Sequence, residues 1–282
     1  MEAPMFDAPS AGLRIGSAQH RDALCRFFTD SFVKLDAEGT AWPELPPEAL
    51  DRLRALPIWE EAVKTEATTA HLVQSFGRRL KDPGLREAVA MNGFEEGRHA
   101  AMLAGLTRRY GIAVPSFAPE ETDDPEWGFL KVGYGECFDS FFGFGLFALA
   151  RDSGFFPSEL VTLFEPIMQE EARHIIFHAN WVAYSRAEKP AAERLAFAFK
   201  EGMALFVQTK SRAKTALRVK NDEAQDNFTM AAHASFGDVT PRRFLETCLA
   251  ENARRLAPYD PRLLRPTFMP ALARAALAVM PG

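Results

Sequence analysis

Cysteine is scarce in this chain, and the three that occur, Cys25, Cys137 and Cys248, stand far apart without a Cys-x-x-Cys pair. Such usage excludes a disulfide framework and a thiolate zinc site, and it fits a reducing cytoplasm. Valine, isoleucine and threonine are thin beside alanine, leucine, glutamate and arginine, and no alternating apolar run is bounded by turn signals, which argues against a β-sheet. Long hydrophobic stretches are missing as well. The greasiest, Phe141 to Ala150, stops at Arg151 and Asp152, well short of the roughly 20 residues that a membrane span requires. With Glu2 and Asp7 among Pro4 and Pro9, the first twenty residues lack the basic and then apolar order of a secretory signal. Positive charge is not in excess either: 33 basic residues face 38 acidic ones, for a net charge of −5. No general attraction for nucleic acid or an anionic membrane follows from that balance. The expectation is a cytoplasmic protein with no membrane span and no nucleic-acid partner.

What is abundant points to an all-α protein. After a coil to about residue 16, the pattern predicts a helix over about 18–35 and a short one over 46–56, together a wrapping element. Four long helical segments follow at about 57–81, 84–111, 125–153 and 157–187, each marked by Pro or Gly. The first two meet at Lys81-Asp82-Pro83-Gly84 and the last two near Ser153–Pro157, so each pair is expected to be antiparallel. The middle connection, residues 112–125, is proline-bearing and acidic. Extended, its 14 residues reach about 46 Å at about 3.3 Å each, enough to run beside a helix of about 42 Å. A helix from 190 to about 220, a polar break at Asn221–Asn227 and further helices to the end complete the expected order. The basic excess over 186–220 reads as a solvated face, and the apolar run Phe268–Met280 as packing against the rest. Three units result: 1–56 with coil and accessory helices, 57–187 with the four-helix bundle, and 188–282 as a C-terminal helical extension on it.

One pattern occurs twice. Glu95-Glu96-Gly97-Arg98-His99 lies in the second long helix, and Glu170-Glu171-Ala172-Arg173-His174 in the fourth. Residues three apart share a helix face, so each Glu-x-x-His can grip one ion. Glu66 falls 30 residues before Glu96 on a stripe with Trp59, Ala62, Val63, Thr69, Ala70 and Val73. Glu136 falls 35 residues before Glu171, on a stripe with Phe129, Val132, Gly133, Ser140 and Gly143. Both stripes face inward. Burying four neighbouring carboxylates costs several kcal/mol per ion unless cations compensate. Four carboxylates and two imidazoles are a mostly hard, oxygen-rich donor set, suited to iron or manganese rather than to tetrahedral zinc.

The order Glu, Glu-x-x-His, Glu, Glu-x-x-His on successive helices resembles the ferritin-like di-iron carboxylate proteins, over about residues 57–187. The resemblance implies a four-helix bundle with one long crossover and two iron ions, with manganese or a mixed manganese and iron pair as variants. By likeness to acyl-carrier-protein desaturases and the ribonucleotide reductase small subunit, Glu66 with His99 would hold one metal and Glu136 with His174 the other. Glu96 and Glu171 would bridge. Glu95 and Glu170 occupy the place from which an acidic residue anchors a ligand histidine from outside; the alternative is a surface ion pair with Arg98 and Arg173. Leu103 stands where the reductases keep a radical tyrosine, and Ile167 where N-oxygenases add a histidine. Ser140 stands where multicomponent hydroxylases place a threonine, which makes it a candidate catalytic residue. His178, one turn beyond His174, belongs to the surroundings of the site as a further ligand, a proton carrier or a hydrogen-bonded core residue. His71 points away from Glu66, and His20 and His233 have no context.

The function expected from this set is a dioxygen-activating di-iron oxidase or oxygenase acting on a small or apolar organic molecule, served by an electron-donor protein or reductant. The Phe-rich third helix, with Gly133, Ser140, Gly143 and Gly145 between its rings, offers room for such a substrate. Iron storage or ferroxidase activity and a metal-stabilised binding bundle are the alternatives. A homodimer is the superfamily's habit.

Overall fold

The computed structural model describes residues 12–37, 39–219 and 239–280, with only the backbone of 213–219. Asn221–Asn227 and His233 lie outside the described residues. Among these residues the regular elements are all helices: α1 (Ala18–Asp30), α2 (Pro47–Ala55), α3 (Trp59–Gly77), α4 (Pro83–Arg109), α5 (Pro125–Ser153), α6 (Ser158–Thr162), α7 (Glu165–Glu188), α8 (Ala191–Val219), α9 (Pro241–Leu256) and α10 (Phe268–Val279). Among the described residues no helix is long and apolar enough to cross a membrane.

Local chemistry sets the helix ends. Asp82 and Asp124 each cap the helix that follows, accepting from the amides of Leu85 and Trp127, and each is followed by a proline in the first turn, where a missing N–H costs nothing. Gly154 ends α5 at φ +65°, a conformation natural to glycine. Two expectations need correction. The helix expected over 18–35 ends at Asp30, where the Thr29 and Ser31 hydroxyls take up the carbonyls of Cys25 and Phe27. The single segment expected over 157–187 is broken into α6 and α7, because Pro166 has no amide to donate and its ring excludes the preceding helical carbonyl.

Four of the helices surround the acidic cluster. α3 and α4 run antiparallel in their most extensive contact, with Gly77 beside Val89 and Gly93 beside Gln74. A β-carbon on Gly93 would stand 2.7 Å from the Gln74 side chain, so glycine is what lets the two backbones approach. Phe76 of α3 stacks on Phe129 of α5 at 4.7 Å. Ser140 and Gly133 of α5 face Glu171 and His178 of α7. These pairings make α3 antiparallel to α5, and α5 to α7. α4 and α5 therefore point the same way, and the connection between them has to return along the helices.

The remaining helices cover this group. α1 lies across α4 and α7 and inserts Leu24 and Phe28, both fully buried. α9 packs on α5 and α7, and α10 on α5 and α9, around Phe138, Phe141, Phe244 and Met269. Each such side chain contributes about 1.5–3 kcal/mol of burial; of the apolar run at 268–280, Met269, Pro270 and Ala273 pack, whereas Leu272 and Val279 are exposed. At the C-terminal end of α4, Leu53 and Leu56 close over Leu106 and Leu160.

Candidate metal centre

The two Glu-Glu-x-Arg-His copies meet face to face, and their outer acidic residues cross over. Glu170 of α7 accepts from His99 Nε2 of α4 at 2.8 Å and pairs with Arg98. Glu95 of α4 accepts from His174 Nε2 of α7 at 2.9 Å and from Arg173 at 2.7 Å. Arg173 also donates to Ser31 Oγ and to the Phe28 carbonyl, at 2.8 and 2.6 Å, which ties α1 to the same network. Side chains of Glu95, Arg98, His99, Glu170, Arg173 and His174 are at most 4% exposed. The surface ion-pair alternative for Glu95 and Glu170 is therefore excluded by burial.

With each Nε2 held from behind, each Nδ1 faces the space between the helices. His99 Nδ1 lies 3.0 Å from Glu171, 3.6 Å from Glu66 and 3.9 Å from Glu96. His174 Nδ1 lies 2.6 Å from Glu96 Oε1 and 3.9 Å from Glu171. Yet both Nδ1 atoms and Glu96 Oε1 are buried without an aligned hydrogen bond. They lie close to one another without the geometry of a hydrogen bond. One donor atom each from Glu96, His99, Glu171 and His174 lies within 4.8 Å of the others, so these four residues could hold a metal ion. Glu66 closes on His99, and Glu136 faces the same group, its charge acting on those of Glu96, His174 and Glu171.

The cluster carries more carboxylates than fixed positive charges. Six carboxylates (Glu66, Glu95, Glu96, Glu136, Glu170 and Glu171) face two guanidinium groups, and even two protonated imidazoles leave negative charge uncompensated. Burial pushes the Glu66 carboxyl up to about 8 and Glu136 well above the usual carboxylate range. Burial also works against charge on His99 and His174, but the carboxylates around them outweigh it and hold both well above the ordinary histidine value. For Glu171 and Glu95, burial is overcome by the histidines and Arg173, and both stay below the usual range. Protons thus take the places that a cation would fill.

A cavity of about 570 Å³ adjoins the cluster, with Glu66, Glu96, Glu136 and Glu171 in its wall. One arm is apolar, formed by Leu53, Trp59, Leu106, Leu146, Leu160 and Phe164 at the end covered by α2 and α6. The other side, between α3, α5 and α8, is polar and carries the ion pairs of Arg212 with Asp139 and of Lys131 with Glu120. Ser140 reaches the cavity and donates to Glu171 Oε2 at 3.4 Å. Gly143 lines it as well, whereas Gly133 and Gly145 serve close packing against His178 and Cys248.

His178 differs from its expectation as a hydrogen-bonded residue. Both ring nitrogens are buried without a partner among the described residues, among the rings of Phe129, Tyr134 and Trp181, and burial lowers its pKa to about 3. His20, without context in the sequence, is buried and bonds Asn180 at 3.1 Å, joining α1 to α7. The residues that sequence reasoning missed are Arg98 and Arg173 as clamps across helices, and Arg212 and Lys131 at the cavity. The only available signal was the repetition of arginine within both motif copies. Comparison of the chain with protein-family models, curated proteins and solved structures finds no match.

Proposed function

We propose that this protein is a dimetal oxidase or oxygenase that uses dioxygen on a small, largely apolar organic molecule, with Glu66, Glu96, His99, Glu136, Glu171 and His174 as the metal ligands. The observation that carries the reading is the convergence of two imidazole Nδ1 atoms and Glu96 Oε1, all buried without an aligned hydrogen bond, among four carboxylates. The order of the four surrounding helices, with α4 and α5 parallel, supports the ferritin-like arrangement that such proteins share. Oxygen-rich donors favour iron, with manganese as the variant.

The chain's own groups have defined parts in this reading. Glu95 and Glu170 hold the proton on Nε2 of His174 and His99, so that each Nδ1 lone pair faces the site. Arg98 and Arg173 keep those two carboxylates charged and in place. Ser140 orients Glu171. The apolar arm of the cavity receives the organic molecule and excludes water, while Glu66 and Glu136, in its wall, stand beside the bound molecule. When bound, a reduced metal pair supplies the electrons for dioxygen and the oxidising power that falls on the substrate, and an electron donor restores it. A cavity of about 570 Å³ matches the range of small-molecule sites, which favours an organic substrate over ferrous ion itself.

Metal analysis of Glu96→Ala and His174→Ala, loaded anaerobically with ferrous ion, tests the assignment. Both are expected to lose metal and oxygen consumption; retention of two irons per chain in both would overturn it.

A further inference from the structure

Helix α8 carries a seven-residue pattern that the metal site does not use. Counting from Ala192, positions one and four of successive heptads are Ala192, Leu195, Phe199, Gly202, Phe206 and Thr209. The opposite positions are Phe197 and Ala204, 2% and 0% exposed against the body of the protein. The heptad seam therefore faces outward: Leu195 is 76% exposed, Phe199 70% and Phe206 58%, with Met203 beside them at 38%. A large aromatic side chain offers about 150–250 Å², so this stripe leaves about 400 Å² of apolar surface per copy. That is within the range of the largest patch on an ordinary monomer and commonly marks an interaction site.

From this geometry we infer that α8 is the interface of a homodimer, pairing antiparallel with α8 of a second copy. The seam is self-complementary, as a two-fold axis requires. With the axis between residues 200 and 201, Phe199 of one copy lies over Gly202 of the other, and Leu195 over Phe206. A large side chain meets a small one in the middle, where a β-carbon on Gly202 would have nothing within 4 Å in the single chain. Glu193, at the start of one helix, comes beside Lys210, at the end of the other, a favourable charge pairing. Two stripes with their flanking groups bury on the order of 1,000 Å², the least that a specific interface needs. This inference does not depend on the metal site.

Light scattering on the full chain at micromolar concentration tests it. The expected mass is twice the 31.4 kDa of the chain, and Phe199→Glu with Phe206→Glu is expected to give the single-chain mass with unchanged helicity, since both residues are exposed. The dissociation constant should rise at least about 30-fold, the effect of losing a central anchor. Gly202→Trp, which has open space in one chain but fills the seat of Phe199, should also weaken association without lowering the melting temperature. A wild-type monomer, a larger assembly, or a dimer that survives both changes would overturn the proposal.

Discussion

The α4 and α7 side of the acidic cluster and the α3 and α5 side are built on different physical terms. On α4 and α7, each motif histidine is locked through Nε2 to a carboxylate of the opposite helix, and each of those carboxylates has an arginine. Neither histidine can turn without breaking a buried charge pair. On α3 and α5, Glu66 and Glu136 line the cavity; Glu66 keeps 18% of its side-chain exposure, and burial raises both carboxyls. One side is a rigid frame and the other an adaptable wall. The proposed function, which requires ions held firmly and a substrate admitted, would use both.

The largest effect expected from this contrast is on the frame. Glu95→Gln leaves Arg173 buried with an uncompensated charge, and a cost of about 3–5 kcal/mol to the metal-free protein is expected, read from urea unfolding. The same measurement on Glu136→Gln should show equal or higher stability, because the carboxyl it removes is buried without a cation. If the two variants were equally destabilised, the distinction between frame and wall would fail.

A second effect, intermediate in size, concerns pH. Glu66 and Glu136 bind their protons more tightly folded than unfolded, so the unfolded chain holds fewer protons than the folded one above the ordinary glutamate value near 4.5, and stability falls as pH rises. For Glu66 the window runs from 4.5 to about 8. His99 and His174 act in the same direction: their stabilisation is complete below 6.5 and is lost as pH rises through their raised values. Below 6.5 the buried His178 and His20, both lowered, act in the opposite direction, so urea midpoints of metal-free protein are expected to decline from pH 6.5 to pH 8, and ferrous or manganous ion added anaerobically should flatten the decline. A midpoint that rises over that range would contradict the charge balance of the site.

The smallest effect is expected at Ser140. Its bond to Glu171 is long, 3.4 Å, and Ser140→Ala should cost less than about 1 kcal/mol of stability. Any larger consequence should appear in metal-dependent turnover with metal content intact, which would mark Glu171 orientation as the part Ser140 plays.

Much of this was legible in the chain itself. The Asp-Pro pairs at 82–83 and 124–125 announced two helix starts because capping is a local property of a few consecutive residues. Glu66 and Glu136 could be placed on inward faces by helical spacing, and Glu96 and Glu171 by the repeated Glu-x-x-His; Glu66, Glu96, His99, Glu171 and His174 lie within a few ångströms of one another. The break before α7 was missed, although Pro166 stood in plain view, because the apolar pattern continues across it. His178 was misjudged because no sequence shows whether a buried imidazole finds a partner; here it lies against Gly133 and the rings of Phe129, Tyr134 and Trp181.

The amino-acid order by itself determined the helical class, most helix ends and the spacing of the ligand candidates, since each depends on residues within a turn or two of one another. Tertiary structure alone decided that Glu95 serves His174 and Glu170 serves His99, that the cavity opens beside Glu66 and Glu136, and that the heptad of α8 faces outward. Those outcomes depend on which faces of separate helices are apposed, and the energy that selects them comes from burial and charge pairing between different helices, in the Glu95 and Glu170 pairs more than seventy residues apart.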